Sequence, residues 1–455
     1  MRYFKIAAIA AVVTSCFLGS ALAAVSADEA KALGTTLTEF GAVKAGNADG
    51  SIPTYTGGAI TPPSSYKPGS GLYPDPFANE KPVLTIDAKN MAQYKEFLIP
   101  GVQQMLQNYP GFHIDVYPTH RTASYPKWVL DNTLKNATTA QMTGSIEGDG
   151  VKDAYGGVPF PIPKSGYEVM WNYLLRSMPP QFVNRDDNLL VDAAGTVVLL
   201  GNFTNKNAYP FYDPTKTSMS DEYYLKQLDE GNAPSSQVGY NILLTYSINY
   251  SKADQLTWVY TPGQRRVRTA PEFAYDTPAA NFGGVLSYDE IYLLAGRLDR
   301  FNFKIIGKKE IYTPYNAYKI QTVKESDAAT PKYLNPDDVR WEKHRVWVVE
   351  ATLKTGKRHV LSRRTFYVDE DSWLILATEG YDQSGKLYRL GLSLPFMVYD
   401  ANFPFMSPFT YYLTDLTKGS YFFNPLGPNG YITVHDGAPD MGAFTPGRLG
   451  SAGVR

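Results

Sequence analysis

Cysteine is nearly absent, with Cys16 the only one in 455 residues. A chain this poor in thiols has no disulfide staples, thiol catalysis or thiolate metal centre to draw on, and its core alone must stabilise it. Histidine is scarce as well. His113, His120, His344, His359 and His435 are scattered and none pair at helical ligand spacing, so no metal site is expected. Neither sign of charge dominates. With 43 basic and 44 acidic side chains, a formal net charge of −1 gives no electrostatic case for nucleic acid or anionic lipid. Charged residues make up 19% and hydrophobic ones 44%, which excludes a disordered acidic or basic chain. Beyond the N-terminal stretch no apolar run approaches the roughly 18 residues of a membrane span. Catalytic signatures are missing too: there is no Gly-x-Ser-x-Gly elbow, Walker loop, Gly-x-Gly-x-x-Gly after a strand or His-Glu-x-x-His. The expectation is a protein without catalytic residues or a cofactor.

What the sequence does have begins with an address. Arg2 and Lys5 precede the apolar stretches Ile6 to Val13 and Phe17 to Leu22, and Ala21-Leu22-Ala23 has the small-x-small form of a signal-peptidase site. Residues 1–23 are therefore expected to be a cleaved signal peptide, which makes the mature chain a secreted one. The alternative is a lipobox at Val13-Thr14-Ser15-Cys16, which would leave an outer-membrane-anchored lipoprotein attached through Cys16. Residues 24–85 read as a short helix, capped by Ser26 and Glu29, followed by an extended arm rich in Pro and Gly. Within it, Asn47-Ala48-Asp49-Gly50 lacks the spaced carboxylates of a calcium loop.

Residues 86–435 read as a single β-rich body with a helical lid. Met91, Tyr94, Phe97 and Leu98, then Val102, Met105 and Leu106, form an amphipathic helical pattern broken at Pro100, and Tyr167, Met170, Trp171 and Leu174 form a second stripe. Strands are expected at Asn241 to Tyr250, Gln255 to Tyr260, Arg265 to Thr269 and Phe303 to Tyr312. From Arg345 to Leu390, short loops separate four β-rich runs, the pattern of an antiparallel meander. One continuous antiparallel sheet over 241–390 is expected. The acids of the Asp369-Glu370-Asp371 turn read as solvated, and residues 436–455 as a loosely held tail.

A curved sheet covered by amphipathic helices is a natural container for apolar molecules. The expected cavity lining is Tyr94, Phe97, Tyr167, Met170, Trp171, Trp258, Tyr260, Trp347 and Phe366, with Arg266 and Arg268 as head-group contacts. Trp258 and Tyr260 share a face by period two, as do Trp347 and Val349, and one of these pairs is expected to face the helices.

Five motifs carry a family resemblance. They are Leu33-Gly34-Thr35-Thr36-Leu37-Thr38-Glu39-Phe40-Gly41-Ala42, Ala45-Gly46-Asn47-Ala48-Asp49-Gly50-Ser51-Ile52-Pro53, Gly156-Gly157-Val158-Pro159-Phe160-Pro161-Ile162-Pro163, Thr261-Pro262-Gly263-Gln264-Arg265-Arg266-Val267-Arg268, and Arg363 to Trp373. Together they resemble a Gram-negative secreted family, domain-of-unknown-function family 1329. The resemblance implies a fold similar to the lipoprotein-sorting proteins LolA and LolB: mainly β (α+β), a large curved antiparallel sheet or half-barrel with helices on its concave side. It further implies a periplasmic carrier of a lipid or other hydrophobic molecule, working with an RND-type exporter and an outer-membrane barrel protein in outer-membrane biogenesis. Two other readings stay open, a carboxylate-dependent periplasmic hydrolase and a structural subunit attached to an outer-membrane barrel.

Overall fold

Residues 25–279, 282–399, 402–427 and 429–452 are described by the computed structural model, so the expected leader and Cys16 lie outside the described residues. Runs of branched and aromatic residues between turns extend into sixteen strands of one sheet. In chain order these are β1 (Leu84–Ile86), β2 (Ile114–Val116), β3 (Gln181–Val191), β4 (Val197–Ala208), β5 (Tyr223–Ala233), β6 (Asn241–Ser247), β7 (Leu256–Thr261), β8 (Arg266–Thr269), β9 (Phe301–Pro314), β10 (Arg340–Leu353), β11 (Arg363–Asp369), β12 (Ile375–Tyr381), β13 (Leu387–Ser393), β14 (Tyr411–Asp415), β15 (Tyr421–Asn424) and β16 (Tyr431–His435).

Hydrogen bonds order them β9-β10-β11-β12-β13-β14-β15-β3-β4-β5-β6-β7-β8, all antiparallel, with β16 also paired to β3. Strand β2 runs parallel to β10 at Arg340 and Trp341 and brings β1 with it. The four-strand meander expected between Arg345 and Leu390 is β10 to β13. The wider expectation for 241–390 needs a correction. Both ends of that stretch belong to one sheet, yet β8 and β9, neighbours in sequence, lie at its opposite edges. Strands β14 and β15 join the two meanders, through β13 on one side and β3 on the other.

Four helices matter here: α1 (Pro100–Asn108), α2 (Lys127–Thr139), α3 (Gly166–Leu174) and α4 (Pro446–Ala452). Pro100 opens α1, where its missing N–H costs nothing, and does not kink a longer helix. The N-terminal helix is a single turn, Ala27–Ala30, with the expected Ser26–Glu29 capping box.

Helix α3 shows that the sheet curves. Ser165 caps it by accepting the Glu168 N–H, and all its residues are buried. The Trp171 ring lies 6.2 Å from Tyr224 of β5, while the Tyr167 hydroxyl donates to the Phe301 carbonyl of β9 at 2.9 Å. A helix of about 10 Å diameter reaches both halves only because the sheet wraps round it. The fold is mainly β, an open curved sheet with a helix on its concave side.

Residues 270–279 and 282–300 lie across this concave side as a strap between the two edges. Phe282 meets Phe422 of β15 at 5.3 Å. Arg364 of β11 pairs with Asp289 at 3.1 Å and donates to the Leu293 carbonyl at 3.0 Å. Arg389 of β13 donates to the Val285 carbonyl at 2.5 Å and pairs with Glu290 at 3.3 Å.

Two expectations about the surface are corrected. The C-terminal stretch is docked, because Phe444 and Leu449 are buried against Leu243 and Tyr260 of the sheet. The Asp369-Glu370-Asp371 turn is not solvated, since all three acids are buried beneath the arm. Arg121 forks onto Asp371 at 2.6 and 2.8 Å and also donates to the arm carbonyls of Val43, Lys44 and Pro53. Trp373 donates to the Phe40 carbonyl at 3.0 Å.

Candidate functional site

The inner faces of β3, β4 and β5 carry amides and carboxyls where an apolar core would carry branched residues. Alternation along β3 turns Asn184, Asp186 and Asn188 inward, and one cross-strand row reads Asn184, Asn205, Asp229, Ile242, Val259. The Asn184 and Asn205 amides donate to one oxygen of Asp186 at 2.6 and 2.8 Å. Gln227 donates to Asp229 at 2.8 Å, and Asn424 donates to Asn188 at 2.8 Å.

Asp186 is buried and Asp229 half-buried. Burial pushes Asp186 up to about 8, against the pull of the Asn205 amide and with the charge of Asp229 adding to the rise. Burial likewise pushes Asp229 up to about 7, opposed by the Gln227 hydrogen bond. Desolvation outweighs the amides at both, so at neutral pH Asp186 is mostly protonated and Asp229 only partly ionised.

Above this floor the strap supplies a roof. A hollow of about 50 Å³ lies between them, walled by Phe203, Phe273, Phe282, Tyr288, Tyr292 and Tyr411. Tyr246 also borders a second space of about 30 Å³ beside Tyr209 and Tyr224. With Phe273 and Tyr288 it borders a mouth of about 230 Å³ between Asp254, Tyr275 and Arg297. Phe273 and Tyr288 stack at 4.4 Å where roof and mouth meet. Tyr292 and Leu293 have φ of +50° and +73°, a conformation disfavoured for bulky side chains. They are held there by the Tyr173 hydroxyl on the Tyr292 carbonyl at 2.6 Å and by Arg364 on the next carbonyl.

None of the nine residues expected to line a cavity borders these spaces. Met170 and Trp171 are fully buried, Tyr167 nearly so, and the Trp171 indole donates to the Gly148 carbonyl at 3.0 Å. Phe366 packs 6.2 Å from Phe303, which in turn meets Tyr167 at 5.2 Å, so these rings belong to one packed layer. Trp347 stacks on Trp373 at 6.4 Å with Lys308 over its face. Tyr94 and Phe97 lie against Tyr312, and Lys343 covers Phe97. Trp258 and Tyr260 pack with the C-terminal segment. Arg266 and Arg268 are exposed on edge strand β8, and Arg268 pairs with Glu272 at 2.8 Å. A larger cleft of about 630 Å³ lies between α2 and the 217–222 loop and contains none of these residues.

A family model described as a protein of unknown function, DUF1329, matches residues 85–449. The chain belongs to that family. It is the family the five motifs resemble, and the strap, the floor and the hollow all fall inside the matched residues. An uncharacterized protein of Pseudomonas aeruginosa, PA3922, is 40% identical over 406 residues, 88% of each chain. Among solved structures, a DUF1329 family protein from Desulfovibrio piger is similar at a TM-score of 0.42 and 16% identity, over 62% of this chain and 97% of that one. A LolA superfamily protein from Nitrosomonas europaea is similar at 0.35 and 11%, over 62% of this chain and 98% of that one.

No helix among the described residues is long and apolar enough to cross a membrane.

Proposed function

We propose that this DUF1329 protein is a non-enzymatic periplasmic carrier that holds a hydrophobic molecule with a neutral, hydrogen-bonding head beneath the strap. One observation carries the reading: the hollow joins aromatic walls to a floor of amides and carboxyls whose ionisation burial opposes. The walls remove apolar ligand surface from water at about 25 cal/mol per Å². The floor offers donors and acceptors without the penalty of burying a charge against them. In the conformation described, the hollow of about 50 Å³ has room for a few waters, at about 15 Å³ each, so loading requires the strap to lift at its Phe273–Tyr288 end. The expected leader supports the compartment. The family resemblance supports an exporter and an outer-membrane barrel as partners, one supplying and one receiving the cargo.

The test is direct. Protein purified from its own periplasm should release a hydrophobic compound in native mass spectrometry, and the delipidated chain should bind a fluorescent fatty-acid or sterol probe. Ile242→Trp fills the hollow and should abolish probe binding while preserving the fold. Failure of the unmodified, delipidated chain to bind any such probe would overturn the reading.

The raised pair Asp186 and Asp229 favours a second reading, a carboxylate hydrolase. That chemistry needs one carboxyl protonated and its partner ionised, with space between them for the scissile bond. Near neutral pH neither acid is fully ionised, and the hollow is far smaller than a sugar ring. The carrier reading predicts that Asp186→Asn leaves physiological transport within a few fold. A loss of about a thousandfold, the scale of a removed catalytic group, would favour the hydrolase.

A further inference from the structure

The turn buried beneath the arm holds a second constellation, remote in sequence from the hollow's floor. His344 comes from β10, Asp369 from the end of β11 and Asp371 from the turn that follows. All three are buried, and one ligand atom from each lies within 4.8 Å of the others. One oxygen of Asp369 accepts from the Tyr315 hydroxyl at 3.0 Å and from the Ser372 N–H and hydroxyl at 3.0 and 2.6 Å. The other, Oδ1, is buried and has no hydrogen-bond partner among the described residues. It faces Nδ1 of His344 at 4.0 Å, too far for a hydrogen bond.

We propose that His344, Asp369 and Asp371 bind a divalent cation of the zinc class, tying the turn beneath the arm to strand β10. The surroundings fit such a site. Nε2 of His344 lies 3.1 Å from Glu342, which places the proton on Nε2 and turns the Nδ1 lone pair toward Asp369. Glu342 is itself held by Arg340 at 2.6 Å and Asn316 at 3.0 Å. Arg121 donates to both oxygens of Asp371, and each of those oxygens keeps a lone pair for a metal. Tyr315 stacks on the His344 ring at 3.7 Å and fixes its plane. One imidazole and two carboxylates suit zinc or manganese better than calcium, which takes six to eight oxygens. Metal–ligand bonds of about 2.0–2.1 Å draw Nδ1 and Oδ1 together by roughly half an ångström. The scattered histidines hid this site, because its ligands come from two strands and a turn and follow no local spacing.

The experiment uses the full mature chain, stripped with EDTA and titrated with Zn²⁺ and with Co²⁺ as a spectroscopic substitute. One equivalent should bind, Co²⁺ should give a visible band of nitrogen and oxygen ligation, and bound Zn²⁺ should raise the unfolding temperature. His344→Ala and Asp369→Asn should each weaken binding at least 100-fold. His113→Ala, which removes the partly exposed His113–Asp115–Asp337 group, should change nothing. Glu342→Gln should weaken binding 10- to 100-fold, as loss of an orienting carboxylate does. No uptake by the unmodified chain overturns the proposal, and so does uptake that survives both ligand variants or disappears with His113→Ala. If the variants do not fold, anomalous diffraction at the zinc edge on unmodified crystals decides, since the absence of a peak between His344 and Asp369 has the same force.

Discussion

Asp186 and Asp229 bind protons in the folded chain that they would release when unfolded, and this has a measurable sign. Unfolded, each ionises near about 3.9; folded, they are raised to about 8 and about 7. Their contribution to stability is therefore complete below about pH 4 and is lost as pH rises through 7 and 8. Asp186→Asn and Asp229→Asn cannot ionise, so their unfolding temperatures should gain on the unmodified chain between pH 4.5 and 8.5. A difference that stays flat with pH would contradict the enclosure described. Asp289 has the opposite sign. Burial raises it, but Arg364 and His359 outweigh burial and hold it at about 2, so the strap's clamp weakens only in strong acid. Trp171→Ala should cost about 3–5 kcal/mol in denaturant unfolding, because the fully buried indole leaves a cavity in a packed layer. These acids were illegible in the sequence for a physical reason. Along β3, Asn184, Asp186 and Asn188 alternate with Arg185 and Asp187, so both faces are polar and the strand lacks the contrast that marks one. Trp258 and Tyr260 illustrate a different limit, since period two says that they share a face but not which layer covers it.

Among the elements, those with strong local signals are legible in the sequence. Strands β10 to β13 stand out because short turns separate β-rich runs, and α3 because Ser165 precedes an apolar stripe. Helix α2 has no such signal because its buried face is partly polar. Thr133 accepts the Val158 N–H at 2.9 Å, and Asn136 donates to the Gly157 carbonyl at 3.1 Å, so hydrogen bonds do there what an apolar stripe does elsewhere. The strap was missed because its contacts are with distant strands, and no local periodicity records them. Gly391 offers a handle on it. A Cβ there would lie 2.6 Å from a Leu293 methyl and 2.7 Å from Thr378, so Gly391→Val must push the strap away from the sheet. Hydrogen exchange across 285–300 should then speed up by at least tenfold while α3 stays protected. Unchanged exchange in the strap would mean that Leu293 does not pin it.

For the molecule as a whole, the join between the two meanders decides whether there is one cooperative unit. Ending the chain at residue 402 removes β14 and β15, and with them the hydrogen bonds that connect β13 to β3. Such a chain should lose the single unfolding transition expected of the intact protein and show two weak transitions or none, followed by circular dichroism. Ending at residue 436 keeps the join and removes only the docked segment around Phe444 and Leu449, so unfolding should stay cooperative at a lower temperature. The order in which the strands are made has a further consequence. Leu189 finds its partner in Phe423, and pairings so remote in sequence raise the contact order and slow folding. Until the last strands emerge, β3 and β13 each present a row of unpaired backbone groups, open to pairing with another chain. The hazard of aggregation is thus greatest in an interval set by topology, and it closes only when residues 411–424 slot between those two edges.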